Sequence, residues 1–179
     1  MRICITTLLF LAIAASSLAQ KSPCGSNPVY RQFDFWVGEW EAFGLKGKKA
    51  GDSKISIILD SCVVLEEWTG ASKQSGITFT GKSFNSYNAA TGQWQQNWVD
   101  NVGGNTAYLQ GKFENKSIRF LTQPFSFSKD TMAIRRLSFF DLGPNKVRQW
   151  GEISKDNGTT WTTEFDLEYR RKRPVSPTN

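Results

Sequence analysis

The chain has 179 residues, with 22 Lys and Arg against 16 Asp and Glu (formal charge +6), 7 Trp, 4 Tyr and 13 Phe, and no histidine. Without an imidazole, Ser-His-Asp and Cys-His catalysis, the common haem ligand and most zinc sites are excluded. Any chemistry would have to run on carboxylates, Tyr, Lys or Arg, and neither a cofactor nor a metal is expected.

Residues 1–19 read as an export signal. Arg2 supplies the positive start, residues 8–15 the apolar run, and Ser17 and Ala19 the small side chains at −3 and −1 before Gln20. The apolar run falls well short of the ~20 residues that cross a bilayer. A secreted or periplasmic protein is therefore expected, with no integral membrane segment once the signal is removed. About 160 residues remain, enough for one domain with a sizeable core. Cys4 leaves with the leader, and Cys24 and Cys62 stay. In an exported chain two cysteines most simply form one disulfide, with two free thiols as the alternative. Such a bond closes a loop of about 38 residues and contributes ~4 kcal/mol in the chain-entropy model. The expected organisation is a lead-in at 20–32, a β-barrel domain at 33–171 and a basic flexible tail at 172–179.

The segment F-D-F-W-V-G-E-W at 33–40 places four aromatics in eight residues, with Gly38 two before Trp40. A bulky plug followed by a glycine that turns the chain tightly into a first strand suits the entry to a small barrel. Beyond it the chain reads as strands separated by Gly- and Asn-containing turns. Residues 55–59 form one strand, and Cys62, Val64, Glu66 and Trp68 alternate along the next. Ile77, Phe79, Gly81, Ser83, Asn85 and Tyr87 share a face, as do Trp94, Gln96, Trp98 and Asp100. Ala107, Leu109, Gly111 and Phe113 then follow at period two. Further strands are predicted near 118–122, 132–140, 146–154 and 160–170, with 125–130 as an irregular loop. About ten strands joined mostly by short turns predict an all-β fold, a single up-and-down antiparallel barrel. A two-sheet sandwich gives nearly the same pattern and is the structural alternative.

Residues 154–161 match S-x-D-x-G-x-T-W at every fixed position. Asp156 is expected to bond turn amides, Gly158 to take positive φ, and Trp161 to fold back on the hairpin. The motif occurs in sialidase-type propellers, but a propeller needs several copies and a longer chain, so here it marks a structural turn. The basic run 170–173 is read as a strand end and solvated tail, and no nucleic acid partner is expected.

Polar residues that share a face with tryptophans carry the functional reading. Glu66 accompanies Trp68, Asp100 accompanies Trp98, and Arg136 and Gln149 fall on neighbouring late strands. If that face points inward, these six residues line a polar pocket. If it points outward, they are surface residues, since alternation fixes the period and not the direction. Glu66 and Asp100 could also be nominated as a hydrolytic carboxylate pair.

Together, the 33–40 motif, the C-x-V-x-E-x-W-like run at 62–68, G-x-W-x-Q-x-W-V-D at 92–100, V-R-Q at 147–149 and the 154–161 turn resemble a family of secreted, mostly bacterial proteins of unknown function. Cys24 and Cys62 sit where that family tends to place cysteines. Gly38-x-Trp40 with Arg170 or Arg171 ending the last strand resembles the signature of calycin and lipocalin barrels, which implies that the arginine packs over the tryptophan. Nitrobindin-like barrels share the layout but hold haem through histidine, so haem does not carry over. The leading expectation is a monomeric barrel that binds a small, partly apolar ligand without catalysis. An enzyme built on Glu66, Asp100 and Arg136, or a structural or partner-binding domain, are the alternatives.

Overall fold

The protein is represented by a computed structural model that describes residues 22–173; the expected leader at 1–19 and the tail beyond 173 lie outside the described residues. A four-residue helix (α1, Pro23–Ser26) and two 3₁₀ turns (Pro28–Arg31 and Asp34–Trp36) precede eleven strands. These are β1 (Gly38–Gly44), β2 (Lys49–Ile58), β3 (Val63–Gln74), β4 (Ile77–Asn88), β5 (Gln93–Asp100), β6 (Asn105–Glu114), β7 (Ser117–Leu121), β8 (Phe125–Ser128), β9 (Thr131–Asp141), β10 (Lys146–Ser154) and β11 (Thr162–Arg171).

Neighbours pair antiparallel in sequence order from β1 to β7. β9 follows β7, β10 and β11 come next, and β11 returns to β1. Ten strands thus close an up-and-down barrel, and closure removes the unpaired edges that a sandwich would have to protect. β8 is additional. β9 outreaches β7, and β8 pairs with the half left over, Phe125 opposite Ala133. It occupies part of the segment predicted as irregular; four residues of Phe–Ser alternation are too few for a period to show.

The aromatic segment at 33–40 closes one end of the barrel. Phe33 and Trp36 are fully buried there, stacked at 5.3 Å, with Phe33 also edge-on to Trp94 and Phe139. Trp40 is buried as well, and its Nε1 donates to the Trp36 carbonyl at 2.8 Å. The Arg171 guanidinium lies 4.2 Å above the Trp40 ring and donates from Nη1 to the Val37 carbonyl. Gly38 has φ +137°, and a Cβ there would collide with that guanidinium, so both halves of G-x-W follow from one contact.

The arginine over Trp40 is Arg171 and not Arg170. Trp40 is opposite Arg171 in the register, and Tyr169 two residues earlier points inward, so strand alternation sends Arg170 outward. There it stacks on Phe43 and pairs with Glu168. At the same end, the Cys24–Cys62 disulfide (Cα–Cα 5.0 Å) ties α1 to the β2–β3 turn.

The 154–161 hairpin forms as its motif demands. Asp156 Oδ1 accepts from Ser154 Oγ and Thr160 N, Gly158 has φ +86°, and Trp161 Nε1 donates to the Gly158 carbonyl. Hydrogen bonds from Thr160, then Ser154, hold the Asp156 pKa down at about 2.

Candidate functional site

The inward positions of the strands repeat one order from the plugged end toward the other. On β3 it runs Val64, Glu66, Trp68; on β5, Trp94, Gln96, Trp98; on β10, Val147, Gln149, Gly151; and on β2, read backwards, Ile55, Ser53, Gly51. The first position joins the aromatic core, the second is a buried polar side chain, and the third is a large ring or a glycine. The face carrying Glu66 and Gln96 therefore points inward, at 1% and 3% exposure.

Rings and glycines at the third level are complementary. A Cβ on Gly51 would strike the Trp68 ring, one on Gly81 the Trp98 ring, and one on Gly151 the Phe165 ring. Each ring lies flat against a neighbouring strand where no side chain intervenes. Between the flattened rings lies a cavity of about 410 Å³, lined at its base by Glu66, Gln96, Gln149 and Tyr169 and along its walls by Trp68, Trp98, Phe79, Tyr108, Leu137 and Phe165. Gly70, Ala71 and Ser72 complete it at the end opposite the plug, where Ala71 and Ser72 are exposed. A volume of this size falls within the range of small-molecule sites.

Glu66 is the centre of the base. Its Oε1 accepts from Ser53 Oγ (2.9 Å) and Tyr169 Oη (3.2 Å), and its Oε2 from Ser83 Oγ (3.0 Å). The direction of this network is fixed at a backbone group. The Val64 carbonyl can only accept, so Asn85 Nδ2 donates to it (2.9 Å) and also to Ser83 Oγ (3.1 Å), leaving the Ser83 hydrogen for Glu66. Asn85 Oδ1 in turn accepts from Gln96 Nε2 at 2.7 Å. Tyr169 has one hydrogen for two acceptors, Glu66 Oε1 and Gln149 Oε1 (2.8 Å).

Burial raises the Glu66 pKa from 4.5 to about 7 against the pull of the three hydroxyl donors, and no cation contributes. Burial, the Glu66 charge and their hydrogen bond hold the Tyr169 phenol well above its ordinary value. Desolvation likewise pushes Tyr108 up to about 12, with the Arg135–Glu164 ion pair nearby.

Of the six residues nominated from the sequence, Glu66, Trp68, Trp98 and Gln149 line the cavity. Asp100 is on the same strand face but turns into the β5–β6 connection, where its Oδ1 accepts from Gly104 N and Val102 N and its Oδ2 from Trp98 Nε1 (3.0 Å). Burial opposes, but those bonds outweigh it and lower the Asp100 pKa. Its contribution to the cavity is to hold the Trp98 ring.

Arg136 is on the outer face, because its neighbour Leu137 takes the inward position. It forms a two-pronged ion pair with buried Glu152 (2.7 and 2.8 Å) and stacks on Trp161 at 4.1 Å. Glu66, Asp100 and Arg136 thus do not converge, and the carboxylate–arginine cluster of the enzyme alternative is not assembled.

Tyr108 is the clearest residue that sequence reading misses. Alternation carried straight through β6 puts Ala107 and Leu109 on the face of Gly111. A bulge at Gln110 (φ +59°) shifts the phase, so that Tyr108 and Gly111 both turn inward. Ser83, Asn85 and Tyr169 were legible only as members of strands and Ser53 fell before the predicted strand at 55–59; the one local signal, a serine two residues from an inward glycine, belongs to Ser53 (Gly51) and Ser83 (Gly81).

Compared with models of known protein families the chain matches none, and no curated protein matches it. The likeness to calycin barrels is one of architecture.

Proposed function

We propose that this barrel binds a small, partly apolar molecule in its cavity and does no chemistry on it. The observation that carries the reading is the pairing of Trp68 with Gly51 and of Trp98 with Gly81, by which bulky residues enclose space instead of filling it. Apolar walls with a few convergent polar groups at one end are the usual composition of a site that orients a ligand. Export as a monomer, as a member of the secreted family whose motifs the chain resembles, belongs to the same proposal; the disulfide supports an oxidising compartment.

Titration with N-phenyl-1-naphthylamine, an uncharged dye that brightens in apolar surroundings, tests the reading. Saturable binding with energy transfer from protein tryptophan is expected. Trp98→Ala should weaken it about tenfold, the loss of ~1.4 kcal/mol of contact. Arg136→Ala, on the outer face, should leave it unchanged. No saturable binding, or equal binding by Trp98→Ala, would refute the cavity as the site.

A further inference from the structure

We propose that the ligand carries a protonated nitrogen, and that this cation pairs with the Glu66 carboxylate at the base of the cavity while aromatic faces surround it. The inference rests on the cavity reading and narrows it to a chemical class: amines or amidines with an apolar body.

Three observations carry it. First, Glu66 is 1% exposed, lines the cavity, and among the described residues has no cationic partner; every group bonded to it is a hydroxyl. A carboxylate buried without a counter-charge is strongly disfavoured, so it takes up either a proton or a cation. Second, the network enforces a donor on only one oxygen of Glu66. The chain from the Val64 carbonyl through Asn85 and Ser83 forces a donor onto Oε2, whereas the Ser53 and Tyr169 hydroxyls on Oε1 are free to turn, Tyr169 toward Gln149 Oε1, so the Oε1 side is where the proton or cation resides. Third, the cavity above Glu66 is walled by the aromatic rings of Trp68 and Trp98, whose faces attract a cation. The chain's overall charge is positive, so selection for a cation comes from this base and not from long-range steering.

A bound cation takes the position of the Glu66 proton. Binding of an already protonated amine below neutral pH therefore releases that proton to solvent. The side chains facing Glu66 from β2, β4, β10 and β11 are Ser53, Ser83, Gln149 and Tyr169; only Tyr169 titrates, and it stays neutral across this range. Loss of affinity on acidification therefore reports Glu66.

Calorimetric titration with 4-phenylbutylamine, 4-phenylbutanol and 4-phenylbutyrate varies the head group on one apolar arm. At pH 8 the amine should bind at least about tenfold more tightly than the alcohol, and the carboxylate most weakly. From pH 8 to pH 6 the amine should lose about tenfold, as Glu66 passes from mostly ionised to mostly protonated, while the alcohol is unaffected. Glu66→Gln should abolish the preference and retain alcohol binding. Failure of the amine to bind, equal or tighter binding of the alcohol or acid, or a preference that survives Glu66→Gln would each overturn the proposal. If N-phenyl-1-naphthylamine still enters, only the cation assignment fails; if it is also excluded, the cavity reading fails with it.

Discussion

Replacing Glu66 with Gln should stabilise the protein at alkaline pH and leave it unchanged at acid pH. Folding moves this carboxyl from 4.5 to about 7, chiefly because its charged form is desolvated. A raised pKa means that the folded chain holds the proton more tightly than the unfolded chain. The associated stability is fully present below about pH 4.5, declines as pH rises, and is gone above about 7. At about 1.36 kcal/mol per pH unit over that window, the loss comes to about 3 kcal/mol. An amide imitates the protonated acid: its oxygen can accept from Ser83 while its NH₂ donates toward Ser53 and Tyr169, so the network survives the change.

The difference between Glu66→Gln and wild type should therefore be near zero at pH 4.5 and reach about 3 kcal/mol in favour of the variant at pH 8, or roughly 6–12 °C in melting temperature for a domain of this size. Urea denaturation of both proteins across that range, with the disulfide intact, measures it. Asp52, Glu67, Asp100, Asp156 and Glu168 have lowered values and act with opposite sign at more acid pH, and Asp34 is raised. All are common to both proteins and cancel in the difference. A difference that stays flat within ~0.5 kcal/mol would show that Glu66 is not buried as described.

Three further outcomes follow from the packing. Trp40→Ala should cost about 3–5 kcal/mol in urea denaturation, since the indole is fully buried under Arg171; a loss below ~1 kcal/mol would place it on the surface. Arg136→Ala should cost about 3 kcal/mol by leaving the Glu152 carboxylate buried and unpaired, and a neutral result would show that the pair is solvated. Non-reducing peptide mapping should recover Cys24 and Cys62 linked, and reduction should lower stability by up to ~4 kcal/mol for the 38-residue separation; freely alkylated thiols in exported material would contradict this.

The sequence by itself determined an all-β chain of about ten short strands and the residue order along each strand face, with a two-sheet sandwich still open beside the barrel. Short strands at period two, turns of Gly and Asn, and the F-D-F-W-x-G-E-W entry are local signals, each read within about a dozen residues. V-x-E-x-W and W-x-Q-x-W place Glu66 beside Trp68 and Gln96 beside Trp98 on any strand of period two. What such patterns lack is direction, since both faces of a strand obey the same alternation. Only closure decided that Glu66 and Gln149 point inward while Arg136, one residue from the inward Leu137, points out to Glu152. The same holds for Arg171 over Trp40, a matter of register between β1 and β11, and for Tyr108, turned inward by a one-residue bulge that leaves no mark on the alternation. That the interior is hollow was decided last. It depends on Gly51 and Gly81 meeting Trp68 and Trp98 across strand pairs, a contact between residues on different strands that no local period encodes.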